Sequence, residues 1–149
     1  MGMININKQM KKYCLIFGVV LFFCISIIQI FKPSYKFEYF YSLDKKNIVT
    51  RIEYESFFEN VTYFTAGYFD ENEIPESYVR PIYSGFTSGF ELVFYWENNK
   101  CIFNYCYGDF KVDNSKSIFV FRRVSVDKLM NMKNDTTGNF HYEIERALF

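Results

Sequence analysis

The longest apolar segment of the chain lies near its N-terminus, where residues 13–31 include no charged side chain. Three lysines precede this segment, and Lys32 and Pro33 follow it. At about 1.5 Å of rise per residue, a helix of this length covers roughly the 30 Å hydrocarbon core of a bilayer. The pattern predicts a transmembrane helix over residues 13–31, with Tyr13 and Phe31 at the two ends of the membrane anchor.

Other interpretations of this segment fit less well. A cleaved signal peptide has a shorter apolar region of about 7–15 residues, followed by small residues at the cleavage site. Lipidation at Cys24 is disfavoured because Phe22 and Phe23 come directly before it. A buried helix of a soluble domain is the remaining alternative, but such a helix normally keeps a polar stripe. The sequence therefore favours an uncleaved signal anchor.

The flanking charges bear on orientation. Residues 1–12 carry three lysines and no acid, which favours a cytoplasmic location under the positive-inside rule. Lysines also follow the apolar segment, but long domains translocate largely regardless of charge. We predict a short basic cytoplasmic tail over residues 1–12 and an extracytoplasmic domain over residues 37–149. The chain would then be a single-pass protein of the cytoplasmic membrane.

Beyond the anchor, alternating apolar and polar positions predict several β-strands. Residues 35–39 and 48–54 alternate in this way, with a polar turn between them. Residues 90–96 and 101–107 flank a four-residue polar loop that is typical of a β-hairpin. Residues 117–123 form a further β-branched and aromatic run, which predicts another strand.

Two segments show helical signals. Ser56 precedes four large residues at helical spacing, namely Phe57, Val61, Phe64 and Tyr68. Ser125 is placed to cap a short helix over residues 126–133. The tail from 140 to 149 fits either a strand or a last helical turn. Together these elements predict an α+β domain built around an antiparallel β-sheet with one or two short helices.

Charge is distributed unevenly along the chain. Residues 37–149 contain 17 acidic and 12 basic residues, a net charge of −5, whereas the first 36 residues carry +5. An acidic domain disfavours nucleic acid as a partner, because binding to phosphates depends on lysine and arginine. Anionic lipid would also repel it.

The same domain is rich in aromatic residues, with 15 Phe, 11 Tyr and one Trp. Most of these side chains are expected in the core, since aromatic residues bury large areas. A surplus of tyrosine on a binding surface is the alternative, because tyrosine is enriched at protein interfaces.

One acidic segment stands out within this domain. Between Ile52 and Val79 there are seven acids and no lysine or arginine, whereas residues 100–133 have seven basic residues and three acids. The two segments could neutralise each other in the fold, with the acidic loop simply solvated. Alternatively, the acids form a surface that steers a protein with a basic surface. We predict such a partner-binding patch at Asp70, Glu71, Glu73 and Glu76.

Catalytic and metal-binding signals are weak. Cys101 and Cys106 would lie about 16 Å apart on one continuous strand, too far for a disulfide, and their spacing is not that of zinc ligands. His141, which could pair with Glu143, is the one histidine of the chain. No phosphate-binding, dinucleotide-binding or nucleophile-elbow motif occurs. We therefore expect no catalytic residue, no metal and no cofactor. Asn60 and Asn134 begin glycosylation sequons, which matter only in a eukaryotic secretory pathway.

These observations favour a membrane-anchored, non-enzymatic protein-binding domain outside the cytoplasmic membrane. In a bacterium, an immunity protein that neutralises a toxin entering the envelope would have this small size, acidity and membrane tether. An accessory subunit of an envelope or secretion complex is the alternative within the same class. A tethered hydrolase that uses paired carboxylates is a more distant one, since nothing selects a pair from the 17 acids of the domain.

Overall fold

A computed structural model describes residues 3–82, 90–114, 118–135 and 140–145. The chain divides into two compact units, Met1–Pro33 and Ser34–Phe149. The first unit contains one long apolar helix, and the second contains β-sheets with one short helix in its described part. The α+β class predicted from the sequence is confirmed.

The helix of the first unit, α1 (Met3–Phe31), begins ten residues before the predicted membrane segment. Its segment Gln9–Phe31 is 23 residues long, and the most apolar 18-residue window of this segment has a mean hydropathy of 2.8. The hydroxyl of Ser26 donates a hydrogen bond of 2.9 Å to the carbonyl oxygen of Phe22, which satisfies this polar group within the helix. By length and composition, α1 is able to span a membrane.

The second unit has nine strands and one further helix in its described part. In chain order they are β1 (Ser34–Tyr41), β2 (Ile48–Glu55), β3 (Asn60–Ala66), β4 (Tyr78–Ile82), β5 (Phe90–Glu97), β6 (Lys100–Tyr105), β7 (Asp109–Asp113), β8 (Phe119–Arg123), α2 (Val126–Lys133) and β9 (His141–Glu145). Five strands form one sheet in the order β1-β2-β3-β4-β7, and four form a second in the order β8-β6-β5-β9. All neighbours are antiparallel except β6 and β8, which are parallel.

The main hydrophobic core lies between the two sheets. The ring of Phe64 on β3 lies 5.4 Å from that of Phe94 on β5 and 4.9 Å from that of Phe103 on β6, measured between centroids. Both contacts are edge-to-face, a favourable arrangement of aromatic rings. Val49 and Val79 complete the five-stranded sheet's side of this core. Many of the phenylalanines of this domain therefore lie in the core between the two sheets.

The predicted short helix is present as α2. The side chain of Ser125 accepts a hydrogen bond from the backbone N–H of Lys128, which caps the helix as expected. Leu129 is only 1% exposed, and α2 packs against β5. The local capping signal of Ser125 was sufficient to predict this element.

The helix predicted from Phe57, Val61, Phe64 and Tyr68 is wrong, because this segment forms a turn followed by β3. Val61 and Tyr63 point to one face of β3 and Phe64 to the other, and all three side chains are buried. A strand that is buried on both faces loses the apolar–polar alternation that identifies half-buried strands. Ser56 caps the turn instead of a helix, since its hydroxyl accepts hydrogen bonds from the N–H groups of Phe58 and Glu59.

Some strand boundaries also differ from the prediction. The strand predicted over residues 101–107 ends at Tyr105. The strand predicted over residues 117–123 begins at Phe119, and residue 117 lies outside the described part of the chain. The tail forms β9, with residues 146–149 outside the described part. Strands β4 and β7, which pair with each other at the edge of the five-stranded sheet, were not predicted.

Candidate functional site

The outer face of the five-stranded sheet, opposite the main core, is largely aromatic. On β1, alternate positions place Tyr35, Phe37 and Tyr39 on this face, beside Ile52 of β2 and Tyr63 of β3. Ile52 is fully buried and Tyr63 is 3% exposed. A sheet face that is buried away from the core requires a cover.

The loop over residues 67–77, which connects β3 to β4, contributes to this cover. The ring of Tyr68 stacks on that of Tyr39, with centroids 4.8 Å apart and planes 10° apart. The ring of Phe69 lies 6.5 Å from that of Phe37. Two consecutive aromatic side chains of the loop therefore rest on two alternate residues of β1.

Hydrogen bonds fix both ends of this loop. The hydroxyl of Thr50 donates to the carbonyl oxygen of Gly67 at 2.7 Å, and the hydroxyl of Thr65 donates to that of Ser77 at 2.7 Å. Gly67 has φ of +101°, a conformation that glycine adopts without strain. Pro75 is buried within the loop. The loop is thus attached at its two ends and along its length.

All four predicted patch residues, Asp70, Glu71, Glu73 and Glu76, lie exposed on this loop. The carboxylate of Asp70 accepts a hydrogen bond of 3.2 Å from the hydroxyl of Tyr68. A hydrogen bond with Glu73, together with the charges of Glu73 and Asp70, raises the pKa of Glu71. The loop therefore holds like charges close together at the surface.

No lysine or arginine of the described residues forms an ion pair with any of these four acids. In the basic segment, the Arg122 guanidinium pairs with Glu97, and Arg123 donates to the carbonyl oxygen of Gly108 at 3.3 Å. Other acids nearby do have partners, since Lys36 pairs with Glu55 across β1 and β2. In the described part of the chain, direct ion pairs do not neutralise the acidic loop.

The opposite side of the outer face, on β4 and β7, carries basic residues. The Arg80 guanidinium lies 5.8 Å from the ring centroid of Tyr63, and the Lys111 ammonium lies 5.6 Å from that of Tyr78. Arg80 and Lys111, with Pro81 and Ile82, line a shallow groove of about 340 Å³. The outer face thus has acids on its loop and bases at its β4–β7 edge.

His141 is packed at the side of the main core. Its ring lies 4.5 Å from that of Phe40 and 5.2 Å from that of Phe94, measured between centroids. Burial lowers the pKa of His141, and the charge of Glu38 opposes this effect. The predicted partner Glu143 lies two residues along β9, but its side chain is outside the described part of the structure.

The two cysteines of the domain lie at the two ends of β6. Cys101 is fully buried in the core, whereas Cys106 follows the last residue of the strand and is partly buried, and both thiols are free. Among residues 3–82, 90–114, 118–135 and 140–145, no three His, Cys, Asp or Glu side chains lie close enough together to hold a metal ion. Asn60 and Asn134, the sequon asparagines, lie at the start of β3 and at the end of α2.

No family model matches this chain, and neither a curated protein nor a solved structure matches it. The candidate site is therefore defined by this chain's own geometry, as the acidic loop of residues 67–77 resting on the outer aromatic face.

Sequence reasoning missed the residues that support the loop. The alternation of Tyr35, Phe37 and Tyr39 placed them on one strand face, and Tyr68 and Phe69 were visible as adjacent aromatic residues. Nothing local connects these two groups, since about thirty residues separate Tyr39 from Tyr68 along the chain. Only the hairpin β2–β3, which brings the loop back over β1, places them in contact.

Proposed function

We propose that this chain is a non-enzymatic, membrane-anchored protein-binding module, whose acidic loop docks a protein with a basic surface. The observation that carries the proposal is the exposure of four carboxylates on one loop, those of Asp70, Glu71, Glu73 and Glu76. These carboxylates are exposed, have no cationic partner among the described residues, and lie on a loop fixed by aromatic stacking and hydrogen bonds. A fixed loop loses little conformational entropy on binding, and like charges on it accelerate encounter with an opposite charge.

The location of the domain is part of the proposal. Helix α1 would span the cytoplasmic membrane once, with the lysines of residues 1–12 in the cytosol and the domain outside it. Protease added to spheroplasts should then digest the domain, whereas protection from the protease would place it in the cytosol. A mature N-terminus beyond Phe31 would show that the anchor is cleaved.

In a bacterium, this combination suits an immunity protein that captures a toxin entering the envelope. Tethering keeps such a protein at the surface the toxin must reach, and an acidic surface complements a basic toxin. An accessory subunit of an envelope or secretion complex would use the same surface. The acids Glu71 and Glu73 lie on an exposed loop instead of converging in a deep pocket, which favours binding over a hydrolase.

The test begins by identifying the partner with the full-length protein in its native membrane. A photo-crosslinking amino acid replaces Ile74, an exposed residue between two of the acids, and Leu43 in the β1–β2 turn serves as the control position. We expect a specific cross-linked protein from position 74 and not from position 43. A toxin as the cross-linked protein would support immunity, and a component of an envelope complex would support the subunit alternative.

The second step measures association rates with the captured partner. Reversal of Asp70, Glu71, Glu73 and Glu76 to lysine should slow association several-fold at low salt and less at high salt, because salt screens exposed charges over about 8 Å at physiological ionic strength. Folding should persist, since surface substitutions usually change stability by less than about 0.5 kcal/mol each.

A charge-matched control distinguishes the effect of the loop acids on the association rate from the effect of the domain's net charge. Glu71→Lys with Glu73→Lys should slow association more than Asp109→Lys with Asp127→Lys, although both pairs change the net charge equally. Asp109 and Asp127 are exposed and lie outside the loop. Equal effects of the two pairs, or no effect of the fourfold reversal, would contradict docking at the loop. Unfolding of the fourfold variant would show that the acids stabilise the domain itself.

A further inference from the structure

The turn between β2 and β3 exposes two adjacent phenylalanines. The side chains of Phe57 and Phe58 are 65% and 80% exposed, and their rings meet edge to face with centroids 5.3 Å apart. Ser56 stabilises the turn by accepting hydrogen bonds from the N–H groups of Phe58 and Glu59. Exposed large apolar side chains at a hairpin tip often mark an interaction surface.

Strand register locates this turn at the end of the five-stranded sheet where β1 begins. Ser34, the first residue of β1, pairs with Glu55, the last residue of β2. Because β2 runs antiparallel to β1, its continuation into the turn passes beyond Ser34, toward the side from which β1 enters the sheet. The phenylalanines follow Glu55 by only two and three residues.

The chain that connects α1 to β1 is short. Only Lys32 and Pro33 separate Phe31, where α1 ends, from Ser34, where β1 begins. Three residue steps span at most about 11 Å, and paired residues of antiparallel strands lie about 5 Å apart. The steps from Glu55 to the phenylalanines add at most about 11 Å. If α1 spans a bilayer with Phe31 near its surface, this covalent path allows the turn to contact the headgroup region, which is roughly 5–8 Å thick on each side.

The net charge of the domain bears on which lipids the β2–β3 turn could contact. The domain carries a net charge of −5, so anionic headgroups would not attract it. The rings of Phe57 and Phe58 offer apolar surface instead, and aromatic side chains partition to the boundary between headgroups and acyl chains. The expected lipid partner is therefore any bilayer surface, including an uncharged one.

We infer that Phe57 and Phe58 insert into the boundary between headgroups and acyl chains of the bilayer, as a second membrane contact beside α1. The inference rests on the proposed spanning of the membrane by α1. It makes the β2–β3 turn a membrane-facing surface and leaves the opposite β1–β2 turn directed at solvent. A domain held at two points has less rotational freedom on the membrane than one held by a single helix.

The experiment uses the full chain in phosphatidylcholine vesicles, with and without acyl chains that carry bromine, a contact quencher of tryptophan fluorescence. One added tryptophan is placed at the turn by Phe58→Trp. The matched control is Leu43→Trp, because Leu43 is 90% exposed in the β1–β2 turn, at the far end of an eight-residue strand. Seven residue steps along β1 separate the two ends by roughly 23 Å. Every variant retains Trp96, so the parent protein supplies the baseline.

We expect brominated lipid to reduce the added fluorescence of F58W at least twofold more than that of L43W. Phe57→Trp provides a second turn position, should F58W fold poorly. A folded F58W or F57W that is not quenched, or equal quenching of F58W and L43W, would overturn the inference.

A third variant, Phe22→Trp in α1, separates this outcome from failure of the anchor. If F22W is quenched and the turn variants are not, α1 enters the bilayer and only the inference about the turn is wrong. If F22W is not quenched, the proposed anchoring itself fails.

Discussion

The ring of Tyr68 stacks on the ring of Tyr39, with 4.8 Å between their centroids and 10° between their planes. This contact joins the acidic loop to an edge strand from a distant part of the sequence, and the hydroxyl of Tyr68 also donates to Asp70. Hydrogen bonding with Tyr39 and Asp70, together with the charge of Asp70, raises the pKa of Tyr68 to about 12. The side chain of Tyr68 therefore holds the loop against β1 and also positions the carboxylate of Asp70.

Removal of this ring should loosen the loop without unfolding the domain. In Tyr68→Ala, we expect cleavage after the loop glutamates by a glutamate-specific protease to become roughly fivefold faster, the equilibrium equivalent of one ordinary aromatic pair. The control is Tyr107→Ala, since Tyr107 is 53% exposed, comparable with 61% for Tyr68, and lies outside the loop. Equal cleavage rates in the two variants would show that the stack does not order the loop.

The elements predicted correctly are those specified by local signals. Ser125 as a cap identified α2, and two strand segments around a polar loop identified the β5–β6 hairpin. The helix predicted from Phe57 to Tyr68 failed because β3 is buried on both faces, by the main core and by the outer aromatic cluster. Helical spacing of large residues in such a segment carries no information about the backbone.

Long-range strand pairing explains the remaining differences between the predicted and the observed fold. Strand β4 contains Arg80 and Pro81, which are unfavourable in a central strand, and it forms a strand by pairing with β7 about thirty residues later. The exposure of the four loop acids follows from their polarity and could be predicted. Their aromatic support could not, because it depends on the return of the chain over β1.

The two cysteines of the domain should differ strongly in reactivity. Burial raises the pKa of Cys101 to about 12, while burial and the charge of Glu91 raise the pKa of the partly exposed Cys106. The thiolate is the reactive form, so both thiols should react slowly and Cys101 the more slowly. We expect iodoacetamide at pH 8 to modify Cys106 at least tenfold faster than Cys101 in the folded protein, as measured by peptide mass spectrometry.

Denaturation provides the control for this measurement, because it should make the two rates similar. The same peptide maps, recorded without reduction, should show no cross-link between Cys101 and Cys106. Strand β6 is continuous from Lys100 to Tyr105 and places Cys101 roughly 13 Å from Tyr105, the residue directly before Cys106. A cross-linked peptide would mean that the strand breaks in solution.

The last prediction concerns the pH dependence of stability, which should report on His141. Burial between Phe40 and Phe94 lowers its pKa in the folded state, whereas an unfolded histidine titrates near about 6.5. Below that pH the unfolded chain therefore binds more protons than the folded chain, and protonation favours unfolding. The stability contributed by His141 is fully present above about pH 6.5 and is lost as the pH falls toward the folded-state pKa.

The measurement compares the parent with His141→Gln, in detergent, by guanidinium unfolding between pH 8 and pH 5.5. The parent should lose stability below about pH 6.5 with a slope smaller than about 1.4 kcal/mol per pH unit, the limit for one proton, and further reduced because the ring is only partly buried. Acidic residues that do not interact with His141 contribute equally to both proteins, so the difference between the two curves reports on this side chain together with its interaction with Glu38. Parallel curves across the range would show that the ring binds a proton as readily in the folded domain as in the unfolded chain.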